Sequence, residues 1–213
     1  MAETLELELI GAPQSNYVWT CRIALGEKQV AYKFSPERPH SPAVDAIHPF
    51  GKIPVMRHSD VALCESKAIC TYIDRQFPGK SLIPKSAYGG ALCEQWISLI
   101  NREIDPLLVR EYLLGYFVGG RTGGEPDRTK IDAALPKMPK QFELLDRAVG
   151  KTGFLVGDNF SLADCFLVPI LFYMSRRPES KAMMDERRNL NAYLSNSLKR
   201  KSVADSVPPA PQG

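Results

Sequence analysis

The chain has 213 residues, 44% of them hydrophobic and 24% charged, and a formal net charge of +3. That length supports one large domain or two modest ones with their own cores, and the small charge gives no electrostatic case for nucleic acid or a membrane surface. No apolar run approaches the roughly 18 residues that span a bilayer. The five cysteines, Cys21, Cys64, Cys70, Cys93 and Cys165, form no C-x-x-C pair. This argues against a disulfide framework and against a zinc site, so no metal is expected. Met1-Ala2-Glu3-Thr4 lacks the basic-then-apolar plan of a signal peptide. The expectation is a cytoplasmic protein with reduced thiols. Basic clusters at Arg176-Arg177, Arg187-Arg188 and Lys199-Arg200-Lys201 read as solvated helix faces.

Leu5-Glu6-Leu7-Glu8-Leu9 alternates with the period of a half-buried strand. Gly11-Ala12-Pro13 ends it, and Ser15 or Asn16 can cap a helix running to about Leu25. Val30 to Phe34 reads as a second strand. A polar stretch with Pro36, Pro39 and Pro42 leads to a short helix ending near Ile47. Gly51-Lys52-Ile53-Pro54 is a turn into a third strand, and Val61 to Cys64 makes an antiparallel hairpin with it. Ser66 to Phe77 then carries Ile69, Tyr72, Ile73 and Phe77 at helical spacing. The order is βαβ-α-ββα.

Pro78-Gly79-Lys80-Ser81 and Pro84 break the pattern and mark a domain boundary. Beyond it the strand signals vanish. Leu92, Trp96, Ile100, Ile104, Leu108, Tyr112 and Tyr116 form the stripe of one long helix, which Pro106 should kink. Gly119-Gly120-Arg121-Thr122-Gly123-Gly124 stops it. Ile131 to Val149 reads as a helix broken by Pro136 and Pro139. Ser161-Leu162-Ala163-Asp164 is a capping box before a run that is apolar nearly all round, hence a buried helix. The expected layout is 1–78 as an α/β domain, 79–88 as linker, 89–205 as an all-helical domain and 206–213 as a disordered proline-rich tail.

Three motifs at this spacing carry a resemblance. Gly51-Lys52-Ile53-Pro54 before a strand, Glu65-Ser66 opening a helix, and Phe160-Ser161-Leu162-Ala163-Asp164 together resemble the cytosolic glutathione transferases. The similarity covers about residues 5 to 200. It implies a thioredoxin-like N-terminal domain followed by an all-α C-terminal domain, with glutathione as co-substrate.

The resemblance also implies roles. Pro54 would be cis, and the backbone of Ile53 would pair with the cysteinyl part of glutathione as a strand does. Glu65 would face the ligand's ammonium group, and Ser66 would hold the γ-glutamyl carboxylate at a helix N-terminus. His40 and Lys52 would meet the glycyl carboxylate. Ser15 falls where the family places its thiol-activating residue, as in the serine-type phi-, theta- and zeta-like members. Tyr17 and then Asn16 are the rival donors. His48 reads instead as packing around Pro49-Phe50. Tyr112, Tyr116, Phe117 and Phe172 could line an apolar pocket for the electrophile.

Two departures narrow the activity. Ser15-Asn16-Tyr17 stands where the zeta class has Ser-Ser-Cys, which weighs against its isomerase activity. No cysteine occupies positions 14 to 18, which weighs against thiol–disulfide exchange. The expected function is conjugation of glutathione thiolate to hydrophobic electrophiles. The alternatives are a non-catalytic ligand- or partner-binding module and a glutathione-dependent peroxidase or isomerase. The expected partners are glutathione, an electrophile and a second copy of the chain. Lys67, Arg75 and the helix around Trp96 are the candidate dimer contacts, and no nucleic acid or membrane partner is expected.

Overall fold

The computed structural model describes residues 7–121 and 125–209, apart from the side chains of 118–121. Leu5, Glu6, the last residues of the glycine-rich loop and positions 210–213 lie outside that range. The chain divides into two units, Met1–Ile83 with Lys199–Gln212, and Pro84–Leu198.

In the first unit, alternation places Leu7 and Leu9 of β1 (Leu7–Ile10) inside, with Glu8 facing partly out. Helix α1 (Asn16–Glu27) follows, then β2 (Tyr32–Ser35) and the single turn α2 (Pro42–Asp45). The hairpin β3 (Val55–His58) and β4 (Val61–Cys64) and helix α3 (Ser66–Gln76) complete it. The sheet order is β2-β1-β3-β4. β1 runs parallel to β2 and antiparallel to β3, and β3 is antiparallel to β4. This is the predicted thioredoxin-like order. Trp19, Ile23 and Leu25 of α1 and Ile69, Cys70 and Ile73 of α3 are all inaccessible to solvent.

Both ends of this unit differ from expectation. Leu82 is buried, and the Asp74 carboxylate accepts hydrogen bonds from the amides of Leu82 and Ile83. The boundary therefore falls after Ile83, because those amides are fixed by α3. At the other end, α11 (Lys201–Ala204) belongs with the first unit and not with the helical one. Composition alone predicts a disordered tail from Ser206, yet Ser206 and Pro208 are buried. The Trp19 indole donates to Ser206 Oγ at 2.9 Å. A specific buried hydrogen bond overrides the compositional signal there.

The helical unit opens with α4 (Ala87–Leu99), whose N-cap Ser86 accepts from Gly89 N. The helix continues through π-helical segments Ile100–Ile104 and Pro106–Leu113 into α5 (Leu114–Arg121). Pro106 has no N–H to donate, and its ring would strike the preceding turn of a regular α-helix. Wider turns accommodate it where the sequence predicts a kink. The predicted broken helix appears as α6 (Arg128–Ala134), a 3-10 turn at Leu135–Lys137 and α7 (Met138–Val149). Helices α8 (Leu162–Met174), α9 (Pro178–Asp185) and α10 (Arg188–Leu198) follow.

Every residue of α8 except Tyr173 is buried, as an all-round apolar helix requires. At its head, the Asp164 carboxylate accepts from Ser161 N at 2.8 Å and from Ser161 Oγ at 2.7 Å. Leu155 N and Tyr193 OH donate to its other oxygen. Burial nevertheless pushes its carboxyl above the usual range, against the pull of those donors.

Candidate active site

The register of the sheet collects the predicted motifs. Ile10, the last residue of β1, pairs with Ser35, the last of β2, and with Val55, the first of β3. Val55 pairs in turn with Cys64, the last of β4. The loops carrying Ser15, His40, Ile53-Pro54 and Glu65-Ser66 therefore all leave the same edge of the sheet. Fifty residues of sequence separate the first motif from the last, and hydrogen-bond register alone brings them together.

Gly11 makes the closest approach possible. A Cβ there would lie 2.6 Å from Val18 Cγ2 and 3.2 Å from Ile53 Cβ. Only a residue without a side chain lets the start of α1 lie this near the Ile53-Pro54 turn. The Ile53–Pro54 bond is cis.

Ser15 is the N-cap of α1, with extended backbone at φ −68° and ψ 127°. Its Oγ accepts from Val18 N at 3.4 Å. Acceptance of that bond leaves the hydroxyl hydrogen able to donate elsewhere. Capping and thiol activation are thus compatible roles for this one hydroxyl. The rivals differ in exposure: Asn16 is buried, whereas Tyr17 is half-buried.

Glu65 precedes α3 with φ at 68° and ψ at 114°, a backbone region that L-residues rarely adopt. Its carboxylate is 71% exposed and meets His48 Nε2 at 3.5 Å. His48 is buried, and its Nδ1 accepts from Phe50 N at 3.0 Å. Because Nδ1 is an acceptor, the ring hydrogen sits on Nε2, the nitrogen 3.5 Å from the Glu65 carboxylate. His48 therefore packs around Phe50 as predicted, and it also tethers Glu65, a link no sequence signal announced. Ser66 is buried at the start of α3, and its carbonyl accepts a weak bond from the Cys21 thiol at 3.9 Å.

His40 and Lys52 flank one turn. His40 N donates to Gly51 O at 2.9 Å, and His40 Nδ1 lies 3.7 Å from Asp45 Oδ1. Both side chains are exposed.

The aromatic set in the helical unit separates. Tyr112 is fully buried, and it donates to Glu179 Oε2 at 3.1 Å while accepting from Ser180 N at 3.2 Å. It is a core residue and cannot form the wall of an open pocket. Phe172 is also buried, with the Arg176 guanidinium 4.0 Å above its ring. Tyr116 and Phe117 are half-buried, and the Arg177 guanidinium lies 4.9 Å and 5.2 Å from their ring centres. Tyr116 OH also donates to Glu179 Oε2. Burial and that carboxylate push the Tyr116 phenol far above its ordinary range. Among the described residues, no group of three His, Cys, Asp or Glu side chains is placed to hold a metal ion.

Comparison with known proteins follows the same division of the chain. Residues 9–81 match the family model of the glutathione S-transferase N-terminal domain, and residues 94–201 that of its C-terminal domain. Glutathione S-transferase F6 of Arabidopsis thaliana is 28% identical over 92% of this chain and 97% of its own. Glutathione S-transferase 1 of Zea mays is 27% identical over 92% and 94%. Among solved structures, glutathione transferase F7 from Populus trichocarpa superposes with a TM-score of 0.85 at 27% identity, covering 94% of this chain and 97% of that one. The maize transferase I in complex with an atrazine glutathione conjugate gives 0.84 at 26% identity, covering 95% and 96%.

Proposed function

Because the chain belongs to the glutathione S-transferase family, matched over both of its domains, we propose that it joins the thiolate of glutathione to hydrophobic electrophiles, with Ser15 as the thiol-activating donor. The observation that carries this reading is the convergence of four loops on one sheet edge, with a hydroxyl free to donate at the head of α1.

The extended tripeptide lies along that edge. The backbone of Ile53 pairs with its cysteinyl residue. Ser66 and the amides opening α3 take the γ-glutamyl carboxylate, and Glu65, steadied by His48, takes the ammonium group. His40 and Lys52 take the glycyl carboxylate. Ser15 Oγ–H points at the sulfur. A free thiol with pKa ~8.5 is only about 3% ionised at neutral pH. Lowering that value by ~2 units makes the thiolate the major form and requires about 2.7 kcal/mol of differential stabilisation. A charge-assisted hydrogen bond together with a helix N-terminus supplies an amount of that size. The thiol proton leaves to solvent, the sulfur forms the new bond to carbon, and the leaving group departs with the bonding pair.

The protein acts as a homodimer. The exposed side of α3 holds an open cavity of about 620 Å³ lined by Lys67, Thr71, Tyr72 and Arg75, and Phe50 is 71% exposed. Such surface suits a second copy of the chain. Trp96 itself is buried, so a contact through its helix would use the exposed positions around it, such as Tyr88. No helix among the described residues is long and apolar enough to cross a membrane.

Ser15→Ala tests the assignment. Turnover of an activated aryl halide should fall at least tenfold, and the thiol of bound glutathione should titrate near its free value. Unchanged turnover would take the role from Ser15 and give it to Tyr17.

A further inference from the structure

Helix α1 is held at its first turn, through Trp19, and at its last, through Glu27, by residues 200–206. Trp19 Nε1 donates to Ser206 Oγ at 2.9 Å, and Ser206 Oγ–H donates to Ser202 O at 2.6 Å. Arg200 grips Glu27 with two parallel bonds, Nε to Oε1 at 2.9 Å and Nη2 to Oε2 at 2.8 Å. Ser202 Oγ also donates to Glu27 Oε1 at 2.5 Å. Burial opposes the Glu27 charge, but these donors outweigh it and hold the carboxyl below its usual range. The contact is close: a Cβ on Gly26 would lie 3.0 Å from Ser202 Cα and Cβ.

Trp19 leads directly to the proposed catalytic hydroxyl. Its indole is fully buried, and its backbone N–H donates to Ser15 O at 2.9 Å. The amide just before it, Val18 N, is the one that caps on Ser15 Oγ. A helix turn is stiff, so a displacement of the Trp19 backbone is passed to Ser15. The thiolate hydrogen bond depends on sub-ångström placement of its donor.

We propose that the C-terminal segment Arg200–Ser206 is a strap that positions Ser15, with Ser206 acting through Trp19 and Arg200 acting through Glu27. This rests on the transferase reading above and deepens it: Ser206 and Arg200 are positioning residues, remote from glutathione itself. It also explains why a short helix after the helical unit returns to pack on α1.

Three variants test it in the full-length protein. Ser206→Ala removes the partner of the indole, and Ser206→Thr restores a hydroxyl. Gly26→Ala favours helix at that position but drives a methyl group into Ser202. Trp19 is one of only two tryptophans in the chain, so its fluorescence reports whether the strap has moved. In Ser206→Ala and Gly26→Ala the ultraviolet absorbance of bound glutathione thiolate should titrate at higher pH than in the parent. Turnover should fall several-fold at mildly acidic pH and converge with the parent at alkaline pH, while KM for glutathione changes little. Ser206→Thr should recover the parent profile. A merely structural strap would lower urea resistance and leave the pH profile superimposable, and that result overturns the proposal. If the parent itself shows no thiolate band and no turnover, the transferase reading fails first, and the strap has no donor to position.

Discussion

Lys28 Nζ lies 3.4 Å from Asp74 Oδ1, with the two side chains only 2% and 4% exposed. A buried ion pair offsets its desolvation cost only when the remaining donors and lone pairs are also satisfied. Here they are. Lys28 Nζ donates further to the carbonyls of Asp74 at 3.1 Å and Lys80 at 3.3 Å. The Asp74 carboxylate accepts from Leu82 N at 2.7 Å, Ser81 Oγ at 3.1 Å and Ile83 N at 3.2 Å. The pair joins the end of α1 to α3 and to the segment that leaves the first unit.

The network is unequal between its partners, which gives a stability prediction. Removing one side of a buried pair typically costs about 3–5 kcal/mol. Asp74→Ala leaves both a buried ammonium and two backbone amides without their acceptor, so it should reach the upper part of that range. Lys28→Met leaves a carboxylate that keeps the Leu82 and Ile83 amides as donors, and it should cost clearly less. Urea midpoints at constant m-value measure the difference, and equal losses would refute this ranking.

Glu179 gives a pH prediction. Burial opposes its charge, but bonds from Tyr116, Arg128 and Tyr112 outweigh that and pull its carboxyl down from 4.5 to about 2. A depressed carboxyl adds stability above its unfolded value, and that stability is lost as pH falls through the folded value. The melting temperature of Glu179→Gln should therefore lie below that of the parent at neutral pH. The gap should narrow as pH falls from 4.5 toward 2. Its carboxylate is partly exposed, so solvent screening keeps the effect modest. A gap independent of pH would assign the loss to packing.

Gly51 tests the anion-binding turn. Its φ is +60°, and a Cβ would lie 2.6 Å from Asp45 Oδ1 and closer still to the His40 imidazole. Gly51→Ala should therefore displace His40 and Lys52 together. KM for glutathione should rise several-fold, with kcat at saturation little changed, because neither residue acts on the sulfur. Steady-state kinetics with glutathione varied would show it, and a fall in kcat alone would contradict the assigned roles.

The residues that announced themselves in the sequence did so through local chemistry. Alternation marked β1, the cap at Ser15 marked α1, and apolar spacing marked α3 and α8. Cis Pro54 and the strained residue Glu65 entered through motifs whose neighbours are adjacent in the chain. Tyr112 is inaccessible and Phe172 nearly so, which the sequence did not show, because an aromatic stripe looks the same whether it lines a cavity or fills a core. Burial alone distinguishes the two. Pro106 marked the place where the regular α-helix gives way, and the wider turns around it were not legible in the sequence.

The sequence by itself determined the order of elements in the first unit and the kinds of side chain at each loop, because propensity, capping and periodicity act over a few residues, and three short motifs carried the resemblance to the family. Only the tertiary structure decided that four loops share one sheet edge, that His48 reaches Glu65, and that Ser206 returns to hold Trp19. Those contacts join residues from 17 to 187 positions apart. Strand register and close packing, which no local pattern encodes, select them.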